Sequence, residues 1–182
     1  IRRIIKENYG FDKLYAEGLA IKSPLNTDYQ VYALNALRQG IEEYDKRHGW
    51  RGVILNKASS SNWKEKLQQL NIDKTLKWKF AKIEKITEEE LNFKIVGKET
   101  RGTIKVETIR WAIKNKNIYN VFKIDDVIFV KENLKKNWEL KQYPKVNGAI
   151  VVINPFNGKV KALVGGFSYK SSEFNRATQA KR

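Results

Sequence analysis

Residues 76–143 alternate apolar and polar side chains in short segments that turn residues separate, and few folds accommodate that pattern. Period-two alternation is typical of half-buried strands, whose successive side chains point to opposite faces. We therefore predict a mainly β chain with some α, in which about five short strands form a small OB-like β-barrel. The pattern alone does not choose that barrel over other small β folds. The clearest segments are 91–95, 103–107, 127–130 and 138–140.

Finer features of this β region give local predictions. The alternation in residues 78–86 slips after Phe80, which predicts a β-bulge there. Gly97 and Gly102 bracket a predicted turn. Just before the region, Trp63, Leu67 and Leu70 fall on one side of a predicted short helix over residues 62–70.

A long helix precedes the β region. Asn26 is a suitable N-cap, and apolar residues then recur at helical spacing. Lys46, Arg47 and His48 place cations near the predicted C-terminus, and Gly49 ends the helix. Upstream, we predict a helix that Gly10 stops and a short strand over residues 17–22. The predicted apolar stripe of the long helix is Val31, Leu34, Leu37, Ile41 and Tyr44.

A hairpin follows the β region. Residues 148–153 and 160–164 are mostly apolar, and the Pro-containing, Asn-Gly-ending segment 154–158 between them is a strong turn signal. Strands without polar alternation are typical of sheets that are covered on both faces. The flanking helix and this hairpin therefore frame the predicted barrel.

The chain is strongly basic, with 36 Lys and Arg against 20 Asp and Glu and a formal net charge of +16. Such a charge favours polyanions as partners: nucleic acid, anionic lipid or acidic cell-wall polymers. Abundant Lys, Ile and Asn also fit a solvated surface produced by compositional bias. Lys outnumbers Arg, whereas direct base readout favours Arg. No apolar run approaches the roughly 20 residues of a membrane span.

Individual candidates for chemistry each have a plainer interpretation. There is no Cys, and His48 is the single histidine, so multi-His and Cys-based metal sites are excluded. His48 is predicted to be a cation at a helix C-terminus. Glu42, Glu43 and Asp45 offer carboxylates, but glycoside chemistry needs two carboxyls across a cleft, so we predict a solvated helix face. Turn residues 88–90, 125 and 126 are predicted surface charge.

Serines and aromatic residues complete the candidates. Ser59, Ser60 and Ser61 are predicted to form a flexible loop, and Ser168, Ser171 and Ser172 have no lysine three residues later. An aromatic set among many lysines offers either barrel core or a stacking platform for single strands. No nucleophile, base and oxyanion donor come together, so no catalytic, cofactor-binding or metal residue and no cofactor is predicted. The aromatic set is Trp78, Phe80, Phe93, Trp111 and Phe129.

Two longer stretches carry family-level patterns. Residues 17–52 read EGLAIKSPLNTDYQVYALNALRQGIEEYDKRHGWRG and end in YDxRHGxRG. Residues 138–182 contain Asn-Gly-Ala at 147–149, the hairpin, Gly-Gly-Phe at 165–167 and FNRATQA at 174–180. Both resemble the class A penicillin-binding proteins of the 1A type. The turn at 23–26, Ser-Pro-Leu-Asn, departs from the family's TTLD-like turn but keeps its N-cap chemistry, and residues 53–137 are only weakly family-like.

The resemblance implies a division of the chain and a role. Residues 1–48 would be linker and the first strand and helix of the transpeptidase region, 49–146 an OB-like domain, and 147–182 the start of the transpeptidase domain, leading into the family's SxxK motif, which would follow residue 182. The implied protein is a bifunctional peptidoglycan synthase, with glycosyltransferase and DD-transpeptidase activities elsewhere, at the periplasmic face of the bacterial inner membrane. This chain would be its non-catalytic spacer and regulatory domain.

The partners that the resemblance implies are the other domains of that protein, a periplasmic or outer-membrane regulator, and anionic cell-wall polymer. Nucleic acid is not expected. The alternative function is a nucleic-acid-binding OB-fold module, which accounts for the charge and the aromatic residues but not for the two patterned stretches.

Overall fold

The computed structural model describes residues 2–15, 19–56, 62–70 and 72–181. It confirms the predicted mainly β fold with helices, in which an OB-like barrel lies between a long helix and a hairpin. The helices are α1 Arg2–Tyr15, α2 Thr27–Arg47, α3 Trp63–Gln69, α4 Arg110–Ile113, α5 Ile118–Val121 and α6 Arg176–Gln179. The strands are β1 Lys79–Ile86, β2 Glu90–Ile95, β3 Arg101–Lys105, β4 Val127–Glu132, β5 Trp138–Lys141, β6 Ile150–Ile153 and β7 Val160–Val164.

The barrel is a five-stranded antiparallel sheet in the order β3-β2-β1-β4-β5. Its two outer strands approach each other at Gly102, which lets the sheet curl almost closed. A Cβ at Gly102 would lie 2.6 Å from Cζ of Phe93 and 2.7 Å from Nε1 of Trp138. Only glycine therefore permits this approach.

The barrel core consists of the inward residues of every second strand position, as the alternation predicts, together with residues of the 106–122 segment. Burying such side chains removes apolar surface from water, which is the main favourable term in folding. The core residues with at most 1% exposure are Ala81, Ile83, Leu91, Phe93, Ile104, Ile109, Phe122, Ile128 and Val130.

The bulge in β1 lies further along the strand than predicted. The register shifts between Ile83 and Lys85, not after Phe80. Phe80 is on the outer face, where the ring of Phe129 covers it at a centroid distance of 5.2 Å. The apolar Phe80 on the outer face therefore interrupts the sequence alternation at a point where the strand register is regular.

Helix α2 begins where its sequence predicts, because Oδ1 of Asn26 accepts the Tyr29 N–H at 3.0 Å. It ends before Gly49, whose φ of 93° is the left-handed conformation that glycine favours. The predicted stripe is partly wrong. Ile41 is buried, but Val31 and Tyr44 are exposed, whereas Ala33 and Asp45 are buried. The face that packs on the hairpin centres on Ala33 and Leu37, so both ends of the predicted stripe fall outside it.

The N-terminal predictions need correction. Gly10, with φ 83°, interrupts α1 as predicted, but helical residues resume after it and continue to Tyr15. Of the strand predicted over residues 17–22, positions 17 and 18 lie outside the described residues. Residues 19–22 are not a strand, because their backbone joins no ladder and Leu19 and Ile21 are exposed.

The predicted hairpin is present as β6 and β7, which pair in antiparallel register across a turn with Gly158 at φ 67°. One face, formed by Ile150, Val152, Ala162 and Val164, packs on α2. The outer edge of β7 is closed by α2, since the Gln30 side chain donates to the carbonyl of Leu163 and accepts its N–H, both at 2.9 Å.

Candidate functional site

Helix α2 presents three charged side chains to the segments that lead into and out of the barrel. Arg38, Glu42 and Asp45 are spaced four and three residues apart, so they lie on one face of the helix. We call these three residues the polar stripe. Each makes ion pairs or hydrogen bonds to residues far away in the sequence.

Asp45 is the most completely buried member of the stripe. Arg51 binds it through two parallel bonds of 2.9 and 2.8 Å, Nη1 to Oδ1 and Nη2 to Oδ2. The side chain of Gln142 and the N–H of Lys145 also donate to it, at 2.8 and 3.1 Å. Burial opposes ionisation of Asp45, but these hydrogen bonds outweigh it and lower its pKa. One carboxylate thereby joins α2 to the barrel's entering and leaving segments.

Arg38 makes the second connection. Its Nη2 lies 3.1 Å from Oδ2 of Asp73, and its Nε donates to the carbonyl of Phe167 at 3.0 Å. Ser168 donates to the same Asp73 oxygen at 2.8 Å. Burial disfavours the Asp73 carboxylate, but bonds from Thr75, Ser168 and Arg38 lower its pKa. This cluster ties α2 and the segment after β7 to the approach to β1.

Glu42 supplies the third connection, to the last barrel strand. Its Oε2 lies 2.7 Å from Nζ of Lys141, which also pairs with Glu139 at 3.1 Å. Burial disfavours the charged Lys141 ammonium, but its bonds to the two carboxylates outweigh this and raise its pKa. Burial and repulsion from Lys141 lower the pKa of the neighbouring Lys46. A charge-paired lysine is therefore buried between α2 and β5.

An aromatic cluster fills the space beside the polar stripe. Trp78 contacts Phe129 on β4, Tyr143 after β5 and Phe167 after β7, with ring centroids 5.5, 6.0 and 6.1 Å apart. Ile41 and Leu76 belong to the same buried cluster. Barrel, helix and hairpin thus share a small apolar core at the point where the charged groups meet.

The solvated helix face predicted from Glu42, Glu43 and Asp45 is wrong for two of its members. Glu43 is exposed, but Glu42 is half-buried and Asp45 is 3% exposed. Glu42 pairs with Lys141 from β5, and Asp45 accepts bonds from Gln142 and Lys145 as well as from Arg51, so most of these partners are remote in the sequence. Asp126, predicted as surface charge, is likewise buried, and it accepts the N–H of Lys123 at 2.8 Å. The second Arg of the YDxRHGxRG pattern, Arg51, was the available signal that Asp45 is paired, since it is the ion-pair partner of Asp45.

The remaining candidates do not form a common site. His48 is exposed at the C-terminus of α2, where its Nδ1 lies 2.9 Å from the Tyr44 carbonyl. Ser168 is buried on Asp73, and the Ser171 hydroxyl donates to the Ser168 carbonyl. Ser172 is half-buried, and Ser59, Ser60 and Ser61 lie outside the described residues.

The aromatic set is divided among three places. Phe93 is in the barrel core, whereas Trp78, Phe80 and Phe129 pack on one another at the side of the barrel. Trp111 packs on Trp50, with the Lys46 ammonium 5.5 Å from its ring. The aromatic faces of the set are therefore largely used in packing.

What the geometry offers is attachment. Across residues 2–15, 19–56, 62–70 and 72–181, no three His, Asp or Glu side chains are arranged to hold a metal ion. Within the same ranges, no helix combines the length and the hydropathy that crossing a membrane requires. The polar stripe and the aromatic cluster fix the barrel at both of its ends to one helix.

Comparison with known proteins gives consistent matches. Residues 50–146 match the family model of the penicillin-binding protein OB-like domain. The chain is 36% identical over 181 residues to penicillin-binding protein 1A of Rickettsia typhi, and this alignment covers 98% of this chain and 23% of that protein. It is 31% identical over 201 residues to penicillin-binding protein 1A of Escherichia coli, covering 100% of this chain and 23% of that protein.

A crystal structure of penicillin-binding protein 1A from Haemophilus influenzae superposes with a TM-score of 0.73 at 27% sequence identity. The match covers 98% of this chain and 26% of that one. The chain thus spans about a quarter of the length of the relatives that it matches.

Proposed function

Since this chain belongs to the class A penicillin-binding proteins of the 1A type, we propose that its barrel is a non-catalytic spacer and regulatory domain of a bifunctional peptidoglycan synthase. The glycosyltransferase and DD-transpeptidase activities would reside elsewhere in the same protein, at the periplasmic face of the inner membrane. The function of the barrel is then mechanical, since it holds and orients the parts that carry out the chemistry.

The observation that carries this proposal is the attachment of both barrel ends to α2. Arg51 lies where the chain enters the barrel and Gln142 lies where it leaves, and both donate to the same Asp45 carboxylate. An Arg–carboxylate pair with two parallel bonds is geometrically specific, because the planar fork fits the carboxylate in one orientation. A displacement of the barrel relative to α2 would therefore break several buried polar contacts at once.

Regulation follows if that attachment has two arrangements. A periplasmic or outer-membrane activator, or anionic wall polymer, would bind the barrel and favour one arrangement over the other. Such a ligand shifts the balance only as far as its affinities for the two arrangements differ. The polar stripe is the element through which the shift would reach the transpeptidase region.

Fluorescent penicillin tests the non-catalytic assignment. We expect the full-length protein to be labelled at its acylated serine and this chain alone to remain unlabelled. Its buried Ser168 binds Asp73 and has no lysine three residues later. Labelling of the chain by itself would contradict the proposal and would place a nucleophile among residues 1–182.

Loosening the attachment tests the mechanical function. We expect Asp45→Asn in the full-length protein to change the penicillin acylation rate by about fivefold or more, the lower end of typical coupling energies. Glycan polymerisation by the same preparation is expected to change less. Glu43→Gln, two residues earlier on an exposed side chain, is the matched control. Equal acylation rates for both variants would contradict a coupling function.

A further inference from the structure

Three cations lie directly opposite one another on adjacent strands of the barrel. Lys82 on β1 is the register partner of Lys94 on β2, and Lys94 is the partner of Arg101 on β3. We call these three residues the cation row. Paired positions on neighbouring strands have Cβ atoms about 5 Å apart, so the charged groups start from closely spaced positions.

The cation row is on the outside of the barrel. Its strand neighbours Ala81 and Phe93 point inward and are almost fully buried, and side chains alternate along a strand. Like charges directly opposite one another destabilise a strand pair. The row is thus an arrangement with a stability cost and no packing benefit in the core.

Each cation of the row has a carboxylate from outside the row. Lys82 pairs with Asp125 at 2.8 Å, Lys94 with Glu99 at 2.8 Å, and Arg101 with Glu84 at 2.9 Å. The Glu99 side chain is 89% exposed. Ion pairs that solvent reaches contribute little to stability, so competing carboxylates can replace them.

A groove runs over part of the row. Its volume is about 480 Å³, and α3 forms one wall with Trp63 and Lys64. The Lys64 ammonium lies 5.7 Å from the centre of the Trp63 ring. Lys98, from the turn after β2, also lines the groove. The groove therefore adds two further lysines, Lys64 and Lys98, to a floor that already carries Lys82 and Lys94.

We propose that the cation row and this groove bind a linear polymer that carries carboxylate groups. Bound carboxylates take the places of Glu99, Asp125 and Glu84, which show that the row accepts this group. Because the row crosses three neighbouring strands, its cations can pair with successive carboxylates of one extended polymer chain. Nucleic acid fits less well, because single strands need free aromatic faces, and Phe93 is in the core while Lys64 lies over Trp63. That the polymer is wall material rests on the proposed function.

Binding of poly-L-glutamate to the full-length protein tests this inference, with fluorescence anisotropy at several salt concentrations. For the triple variant K82Q/K94Q/R101Q we expect affinity to fall about tenfold or more, with a shallower salt dependence, because fewer ions are displaced. The control K135Q/K136Q/K159Q removes the same charge from the turns after β4 and β6 and should lose less than about threefold, as non-specific attraction weakens. Equal losses would overturn the proposal.

A reciprocal variant adds a second criterion. Glu99→Gln removes the competing carboxylate from Lys94 and is expected to raise affinity by about twofold to threefold, the range of an exposed ion pair. Unchanged or lower affinity would contradict the idea that this carboxylate occupies the ligand's place. Stronger row-dependent binding of oligo-dT or of anionic lipid vesicles would also overturn the choice of ligand.

Two readouts keep the inference separate from the proposed function. The triple variant should unfold close to the temperature at which the native protein unfolds, since the loss of three solvent-accessible ion pairs and the relief of like-charge repulsion oppose each other. Its penicillin acylation should be unchanged without polymer. Loss of polymer binding together with an intact effect of Asp45→Asn on acylation would leave the spacer function standing. Retained row-dependent polymer binding, together with no effect of Asp45→Asn on acylation, would support the binding inference and contradict the spacer function.

Discussion

The barrel and the helix–hairpin unit formed by α2, β6 and β7 differ in how completely their apolar side chains are buried. In the barrel, the inward side chains of β1, β2 and β4 are buried almost completely. In the helix–hairpin unit only one face of the hairpin is covered. Val151 and Ile153 on its other face are 40% and 54% exposed. The barrel is a closed core, whereas the unit beside it is covered on one side.

The difference shows how one unit can be attached to another without depending on it for its core. The two regions meet through the polar stripe and the aromatic cluster rather than through an extension of either core. Because ion pairs need defined partners and geometry, such a connection fixes orientation more than it adds stability. The barrel core, the stripe and the open hairpin face should then respond very differently to substitution.

The largest expected effect is a truncation in the barrel core. Ile83→Ala should lower the free energy of unfolding by about 2–5 kcal/mol, because a fully buried side chain leaves a cavity. Ile153→Ala makes the same change on the open face and should cost less than about 1 kcal/mol, since the side chain is largely hydrated already. Urea titration followed by tryptophan fluorescence measures both. Similar losses would show that the hairpin face is as well covered as the core.

Breaking the connection should rank second. Asp45→Asn removes the buried carboxylate that accepts bonds from Arg51, Gln142 and Lys145 and should cost about 1.5–3 kcal/mol, the range for hydrogen bonds to a charged group. Glu43→Gln, on the exposed side of α2, should stay within about 0.5 kcal/mol. Amide exchange at Lys145, whose N–H binds Asp45, should speed up only in the first variant. If it does not, the carboxylate does not hold that segment.

Closure of the barrel gives a third, smaller effect, of opposite sign in the two regions. Gly102→Ala places a methyl group within 3 Å of Phe93 and Trp138 and should cost about 1–3 kcal/mol by overpacking. Gly40→Ala, inside α2 with open space around it, should gain about 0.5–1 kcal/mol from helix propensity. Thermal unfolding of the two variants measures this contrast. A stable Gly102→Ala variant would mean that β3 and β5 separate without penalty.

Features that neighbouring residues determine were predictable from the sequence. The alternation at 91–95 placed Leu91, Phe93 and Ile95 in the core. Asn26 caps α2 by accepting the N–H of Tyr29, the third residue of the helix. The turn signal at 154–158 gave the hairpin. In each of these cases the chemistry lies within a few residues, so a local pattern is sufficient.

The site was not predictable in the same way. Asp45 is buried because Gln142 and Lys145, 97 and 100 residues later, donate to it. Glu42 is buried because Lys141 reaches it from β5. Helix spacing alone assigns both carboxylates to a solvated face, since most of their partners are remote in the sequence and Arg51, six residues after Asp45, lies beyond the end of the helix. The cation row was missed for a related reason, because strand register decides which lysines are opposite one another.

Acid should weaken the connection before it affects the barrel core. The pKa of Asp45 and that of Asp73 are lowered in the folded chain, because hydrogen bonds to their charged forms outweigh burial. Stability from these carboxylates is therefore fully present above their ordinary value near 4 and is lost as pH falls through the lowered folded values. The loss should be smaller than that of Asp45→Asn at neutral pH, since a lowered pKa keeps part of the carboxylate ionised in mild acid. Urea titrations at pH 5 and pH 3 should show a smaller drop for Asp45→Asn than for the native chain. Equal drops would assign the acid sensitivity to other carboxylates and separate Asp45 from the connection.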